Sequence, residues 1–288
     1  MVVKLASFRI ADRDSYGAVM EDGVAEASAN FRREFANLGA VLEAGAAIEL
    51  GENLADERLN AAEFEFLPPV TRPDKILCVG VNYRPHIAEM GREVPDYPVV
   101  FVRFPGSLVG HDRPIMRPEV SVQFDFEGEL AVVMGKRARH VPRGEALDHV
   151  GGYCCFMDGS VRDWQRHTMQ FTPGKNFEQS GAMGPCIVTS DEIPDPSVLE
   201  LTTRVNGKVM QRGRLADLVF DIPRLIEYCS TFAELLPGDI IATGTPGGVG
   251  AARTPPAWLK EGDVVEVDIA RVGLLRCPVR DERPAIRA

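Results

Sequence analysis

Three strings between Phe124 and Lys175 decide how this chain is read: FDFEGELAVVMGK (124–136), FMDGSVRDWQ (156–165) and FTPGK (171–175). Glu127 and Glu129 stand two apart, just before the apolar run Leu130–Met134. Side chains at i and i+2 of a strand share a face, so both carboxylates aim at one spot. Asp158 follows the apolar stretch Tyr153–Met157 and can bring a third carboxylate there. Three carboxylates in one space do not all ionise without a cation. An all-oxygen set of this kind suits Mg²⁺ or Mn²⁺, with Ca²⁺ a further candidate, and leaves positions open for water and ligand. A bare E-x-E is also what the solvated face of an edge strand looks like. The surrounding residues tip the balance toward a site.

Working outward, His86 and Glu89 lie three apart in RPHIAE, so on a short helix they share a face and can hydrogen-bond. A histidine held by a carboxylate is a tuned general base. Lys175, between Gly174 and Asn176, reads as part of a polar loop, where it could serve as a cationic clamp for developing negative charge. Arg162 and Asp163 are neighbours and are expected to pair with each other. The glycine-rich string TGTPGGVG (243–250) has no G-K-[ST] and opens no helix. It reads as a backbone-rich wall, with Thr243 or Thr245 offering hydroxyls.

The remaining chain supplies strands and turns. Residues 1–70 read as a small N-terminal unit and 71–288 as the main domain, with Leu67-Pro68-Pro69 and Pro73 marking the boundary. Two alternating strands, MVVKLASFRI and YGAVMEDGVAEA, open the chain, and Glu21-Asp22-Gly23 reads as a hairpin turn. Phe31, Phe35, Leu38 and Leu42 recur at helical spacing. Farther on, HDRPIMRP reads as a loop and Asn206-Gly207 as a hairpin turn. A helix carries Ile222, Leu225, Ile226, Cys229 and Phe232 on its apolar face, and two strands close the chain. The fold class is α+β and predominantly β.

Composition narrows the function. The 288 residues are 45% hydrophobic and 26% charged, ordinary for a globular protein. A net charge of −10 with no basic block argues against nucleic-acid and anionic-membrane partners. No apolar run approaches a membrane span, and MVVKLASFRI does not read as a signal peptide. The 6 cysteines form no C-x-x-C pair and sit mostly in apolar strings, as expected of structural thiols in a reducing cytoplasm.

The strings GVNYRPHIAE, FDFEGELAVV, MDGSVRDWQ, TPGKNF, VNGKVMQ, LLPGDIIATGTPGGVG and GDVVEVDI…VGLL occur in an order that resembles the fumarylacetoacetate hydrolase family across about residues 73–280. The resemblance implies a mixed β-roll beside a small N-terminal domain, and a homodimer. It implies that Glu127, Glu129 and Asp158 ligate Mg²⁺ or Mn²⁺ and that His86 and Glu89 activate water on a short lid helix. It also implies that Lys175, Gln165 and Thr245 contact a 2-oxo acid substrate. Two positions depart from the family pattern. Pro85 stands where relatives often carry Asp, and Arg103 where many carry Lys, so Arg103 is expected to contact a substrate carboxylate. The activity expected from these parts is metal-dependent C–C hydrolysis of an acylpyruvate to pyruvate and a second acid, with Arg166–Thr172 forming part of the acyl pocket. Oxaloacetate decarboxylation and 2-oxo acid isomerisation or hydration are the alternatives on the same site. A metal-stabilised scaffold without turnover is a further alternative, which His86, Glu89 and Lys175 argue against.

Overall fold

A computed structural model describes residues 4–283. The first three residues of the expected opening strand, 1–3, and the last five of the expected main domain, 284–288, lie outside that range. The architecture is α+β and predominantly β. One 12-stranded sheet dominates, a 5-stranded sheet packs against it, and a 2-stranded ribbon pairs Phe124–Asp125 with Ser160–Val161.

The strand Gly128–Met134 is central and buried along its whole length. It pairs antiparallel with Val150–Met157 on one side and with Ile240–Ala242 on the other. Ile240–Ala242 in turn runs parallel to Ile76–Gly80. Leu130, Val132 and Met134 pack in one hydrophobic cluster with Val265, Val267 and Leu275 of the second sheet. Ala131 and Val133 face the opposite way, in a cluster with Phe31, Val41 and Leu42 of the N-terminal helices. A strand covered on both faces has no reason to alternate, which explains the unbroken run LAVVM.

The N-terminal residues do more than pack beside this body. Lys4–Ile10 pairs with Gly181–Thr189, so the strands Lys4–Ile10, Arg13–Met20, Gly23–Ala27 and Leu54–Leu59 extend the same sheet. Register across more than 170 residues of chain is not visible in a local pattern. The Phe31–Leu42 periodicity resolves into two helices, Ala29–Glu34 and Leu38–Glu43. The break falls at Asn37, whose extended backbone and side-chain oxygen cap the second helix by accepting from the Ala40 N–H.

The hairpin at Asn206-Gly207 joins Glu200–Val205 to Lys208–Arg214, with positive φ at both turn residues. The expected loop HDRPIMRP contains the short strand Ile115–Arg117, parallel to the end of Gly273–Asp281. The helix Ile222–Phe232 buries Ile222, Leu225, Ile226 and Cys229. Phe232, expected on that face, is instead exposed at the last turn. Among the described residues, no helix is long and apolar enough to cross a membrane.

Candidate active site

Antiparallel pairing, more than i, i+2 spacing alone, builds the acidic centre. Gly128 is registered against Met157, so Glu127 and Asp158 emerge side by side at one end of the strand pair. The Asp158 N–H donates to the Glu127 carbonyl at 2.8 Å, which locks the two together. Glu129 lies one step into the strand. Carboxylate oxygens of Glu127, Glu129 and Asp158 all fall within 4.8 Å of one another, and all three residues are buried.

Three buried cations surround them. Lys175 Nζ donates to Glu127 Oε2 and Asp158 Oδ2, each at 2.5 Å. Far from a flexible loop position, Lys175 is 1% exposed on the one-turn helix Thr172–Lys175. That turn packs tightly, since a Cβ on Gly174 would lie 2.4–2.5 Å from Gln165. The lysine ammonium also sits 5.1 Å from the Phe101 ring centroid. Arg162 does not pair with Asp163. Its Nε donates to Asp125 Oδ2 at 2.8 Å and its Nη2 lies 2.6 Å from Glu127 Oε1. Asp163 accepts from Ser121 Oγ instead. The buried Asp125 and Glu127 carboxylates offer Arg162 partners out of water, where charge attraction is stronger than with the neighbouring, partly exposed Asp163.

Arg103 is placed differently from its expected role as a substrate contact. Its Nη1 donates to Asp158 Oδ1 (2.6 Å) and the Gly159 carbonyl (3.0 Å). Its Nη2 donates to Ser180 Oγ (2.8 Å) and the Ser107 carbonyl, and its Nε to Ser107 Oγ. All five guanidinium donors are therefore committed to protein, and Arg103 orients Asp158 from behind.

The electrostatics ask for one more positive charge. Burial would raise the Glu127 carboxyl, but Arg162 and Lys175 outweigh it and hold it below the usual carboxylate range. Burial pushes Glu129 the other way, and the facing Asp158 and Glu127 push it further up. Its hydrogen bond is from the Gly244 N–H at 2.9 Å. A carboxylate pushed up by its acidic neighbours is one whose charge a bound cation would favour. The all-oxygen donor set fits a hard divalent ion. Burial raises no obstacle to Lys175 staying charged, because Asp158 and Glu127 more than offset it and raise its pKa.

The remaining residues line a cavity of about 340 Å³ over this centre. His86 and Glu89 lie on the helix Arg84–Glu89, with Pro85 in its first turn as a helix-compatible proline. His86 Nδ1 is 2.8 Å from Glu89 Oε1. Glu89 Oε2 accepts from the Gly248 N–H at 2.8 Å, which fixes the carboxylate. Paired in this way, Nδ1 carries the proton and Nε2 is left as the basic nitrogen. The TGTPGGVG loop forms the wall expected of it, giving N–H groups to both Glu129 and Glu89. Gly244 takes φ +100°, and a Cβ there would meet the Val79 carbonyl at 2.8 Å. Gln165 and Thr245 line the cavity. The Gln165 carbonyl accepts from Arg162 Nη1, which directs its amide N–H groups elsewhere. Arg166, Thr168, Met169 and Phe171 from the expected acyl-pocket segment also line it, as does Arg92.

Asp125 and Arg162 carry much of this arrangement and were not singled out as site residues from the sequence, nor was Gln211, which accepts from the Gly128 N–H between Glu127 and Glu129. Their signal was weak, since charged and amide residues inside apolar strings announce burial without naming a partner.

Comparison with known proteins bears on the family and the fold. Residues 75–280 match the fumarylacetoacetate (FAA) hydrolase C-terminal family. The chain is 44% identical over 219 residues to the mitochondrial oxaloacetate tautomerase FAHD2A of Bos taurus, covering 75% of this chain and 70% of that one. Its fold is similar to fumarylacetoacetate hydrolase from Exiguobacterium antarcticum, with TM-score 0.85 and 33% identity over 97% of this chain and 100% of that one. It is also similar to maleylpyruvate hydrolase from Sphingobium sp. SYK-6, a structure containing manganese(II) and pyruvate, with TM-score 0.79 and 28% identity over the same shares. The match over residues 75–280 and the 44% identity to a relative covered to 70% of its length place the chain in the fumarylacetoacetate hydrolase family.

Proposed function

We propose that the protein is a divalent-metal-dependent tautomerase acting on a 2-oxo diacid of the oxaloacetate type. Two cations at the cavity mouth carry the diacid part of this reading. Arg92 and Arg166 line the cavity, are exposed, and have no ion-pair partner among the described residues. A second carboxylate on the substrate would supply one. The similarity to oxaloacetate tautomerases supports the reaction class.

Glu127, Glu129 and Asp158 would hold the ion, Mg²⁺ or Mn²⁺. When bound, it supplies Lewis-acid polarisation of the 2-oxo group. The chain's own residues do the rest. His86 Nε2 takes a proton from the enol hydroxyl or from the carbon next to the 2-oxo group, according to direction. The Glu89 carboxylate stabilises the imidazolium that forms. Lys175 carries its positive charge beside the developing enolate. The same proton returns to the other atom, so the reaction consumes nothing. Phe101 and Phe171 supply apolar surface beside that exchange.

A second reading has its own support. The His86–Glu89 dyad could equally take a proton from water and direct hydroxide to the distal carbonyl of an acylpyruvate, giving C–C hydrolysis. Assembly as a homodimer is part of both readings. For compartment, six buried free cysteines suit a reducing one, cytoplasmic or mitochondrial, and the bovine and human relatives are named as mitochondrial.

The test is turnover with Mg²⁺ or Mn²⁺ on enol-oxaloacetate, acetylpyruvate and fumarylpyruvate, following the enol absorbance and the products. Metal-dependent loss of the enol signal with oxaloacetate conserved supports the tautomerase. Release of pyruvate and a second acid moves the assignment to hydrolase, and CO₂ release moves it to decarboxylase.

A further inference from the structure

A closed ring of hydrogen bonds gives the cavity wall a fixed polarity. Gly128 sits between Glu127 and Glu129. Its N–H donates to Gln211 Oε1 at 3.0 Å. Gln211 Nε2 donates to Thr245 Oγ1 at 2.8 Å, and Thr245 Oγ1 donates to the Gly128 carbonyl at 2.9 Å. The second hydrogen on Gln211 Nε2 goes to the Pro246 carbonyl at 2.8 Å. The reverse amide orientation would set NH₂ against the Gly128 N–H and oxygen against the Pro246 carbonyl, so only this direction is consistent. Gln211 is 1% exposed and Thr245 4%, out of reach of bulk solvent. The one Thr245 proton is thus committed to Gly128, and one of its lone pairs to Gln211.

Thr245 also lines the cavity. It can meet a ligand only with its remaining lone pair. We propose that Gln211 is a positioning residue that makes Thr245 an obligate hydrogen-bond acceptor, so that the site favours a ligand presenting a hydroxyl over the same ligand presenting an oxo group. The enol tautomer of a 2-oxo acid, or a 2-hydroxy acid, provides that hydroxyl. An oxo oxygen at the same place sets acceptor against acceptor in a buried setting. This inference rests on the reading of the cavity as a 2-oxo acid site. It adds that the wall selects the tautomer, through a residue on the second sheet that touches neither metal ligand side chain nor substrate.

The test is calorimetric binding, independent of turnover, with Mg²⁺-loaded protein and two non-enolisable ligands: 2-oxo-3,3-dimethylbutanedioate and its alcohol, 2-hydroxy-3,3-dimethylbutanedioate. The readout is the ratio of their Kd values. Thr245→Val is expected to lower the preference for the alcohol about tenfold, one hydrogen bond's worth, and Thr245→Ser to keep it. Gln211→Leu, which frees the Thr245 hydroxyl to turn and donate, is expected to lower the preference several-fold as well. Should Gln211→Leu not fold, the two Thr245 variants decide the matter. Equal weakening of both ligands in Thr245→Val, or an unchanged ratio, overturns the inference and leaves the 2-oxo acid reading standing. Failure of both ligands to bind the wild type overturns that reading and the inference with it.

Discussion

The floor and the mouth of the cavity are built on opposite principles. At the floor the charged groups are buried and paired, Glu129 excepted: Arg103 and Lys175 hold Asp158, Arg162 and Lys175 hold Glu127, and Arg162 is anchored in turn by Asp125, while Glu129 accepts only from the Gly244 N–H. At the mouth, Arg92 and Arg166 have no ion-pair partner among the described residues, Met169 is 92% exposed, and Phe171 is half-buried. A low-dielectric floor cannot tolerate a half-satisfied charge, so its residues constrain one another. The mouth is solvated and can change one residue at a time. The difference explains how relatives with this fold carry names as different as tautomerase, isomerase and hydrolase. On the reading proposed above, the floor would supply enolate chemistry and the mouth would select what is enolised.

Removing a floor carboxylate tests the contrast most severely. Asp158→Ala takes from Arg103 its carboxylate partner and from Lys175 one of two, leaving buried charge uncompensated at a cost of roughly 3–5 kcal/mol, on the order of 10 °C in melting temperature. Metal-dependent turnover should disappear with it, and Glu127→Ala should do the same. Near-wild-type activity of either variant at saturating Mg²⁺ would show that these carboxylates are not the metal site. His86→Ala, between floor and mouth, is expected to reduce kcat by about 10²–10⁴-fold. The Mg²⁺-induced rise in melting temperature should survive in this variant, and its loss would move His86 from proton transfer to metal binding.

Changes at the mouth should be milder and selective. The double variant Arg92→Ala, Arg166→Ala is expected to raise KM for a diacid by about 10–100-fold, the equivalent of one or two charge-assisted hydrogen bonds. Affinity for pyruvate, which has one carboxylate, should stay as it was. A parallel loss for both ligands would mean that the arginines shape the cavity mouth rather than read the second charge. At the far end of the scale, Met169→Ser should alter unfolding stability by no more than about 0.5 kcal/mol in urea titration. A larger loss would show that the exposed methionine is covered by something in solution.

Legibility followed the same division between local and long-range physics. The Asn206-Gly207 turn, the helix at 222–232 and the proline-opened helix carrying His86 and Glu89 could all be read from the chain, because each depends on spacing or turn chemistry within a few residues. Glu127, Glu129 and Asp158 could be read as one cluster because carboxylates beside apolar runs are costly without a purpose. The burial of Lys175 and Arg103, both named from the sequence, could not. Their surroundings in sequence look solvated, and only the closing of Thr172–Lys175 onto Gln165, and of the Ser107 and Ser180 loops onto Arg103, buries them.

By itself, then, the sequence determined which acidic groups and which base exist, and which short elements carry them, since those follow from periods of two and 3.6 residues and from glycine and proline stereochemistry. The tertiary structure decided who faces whom. Register between Gly128 and Met157 set Asp158 beside Glu127, the N-terminal strands joined the central sheet, and Gln211 arrived from the second sheet to lock Gly128 and Thr245. Those pairings join residues tens to hundreds of positions apart, and they are chosen by the burial of whole faces, a quantity that no local window of sequence contains.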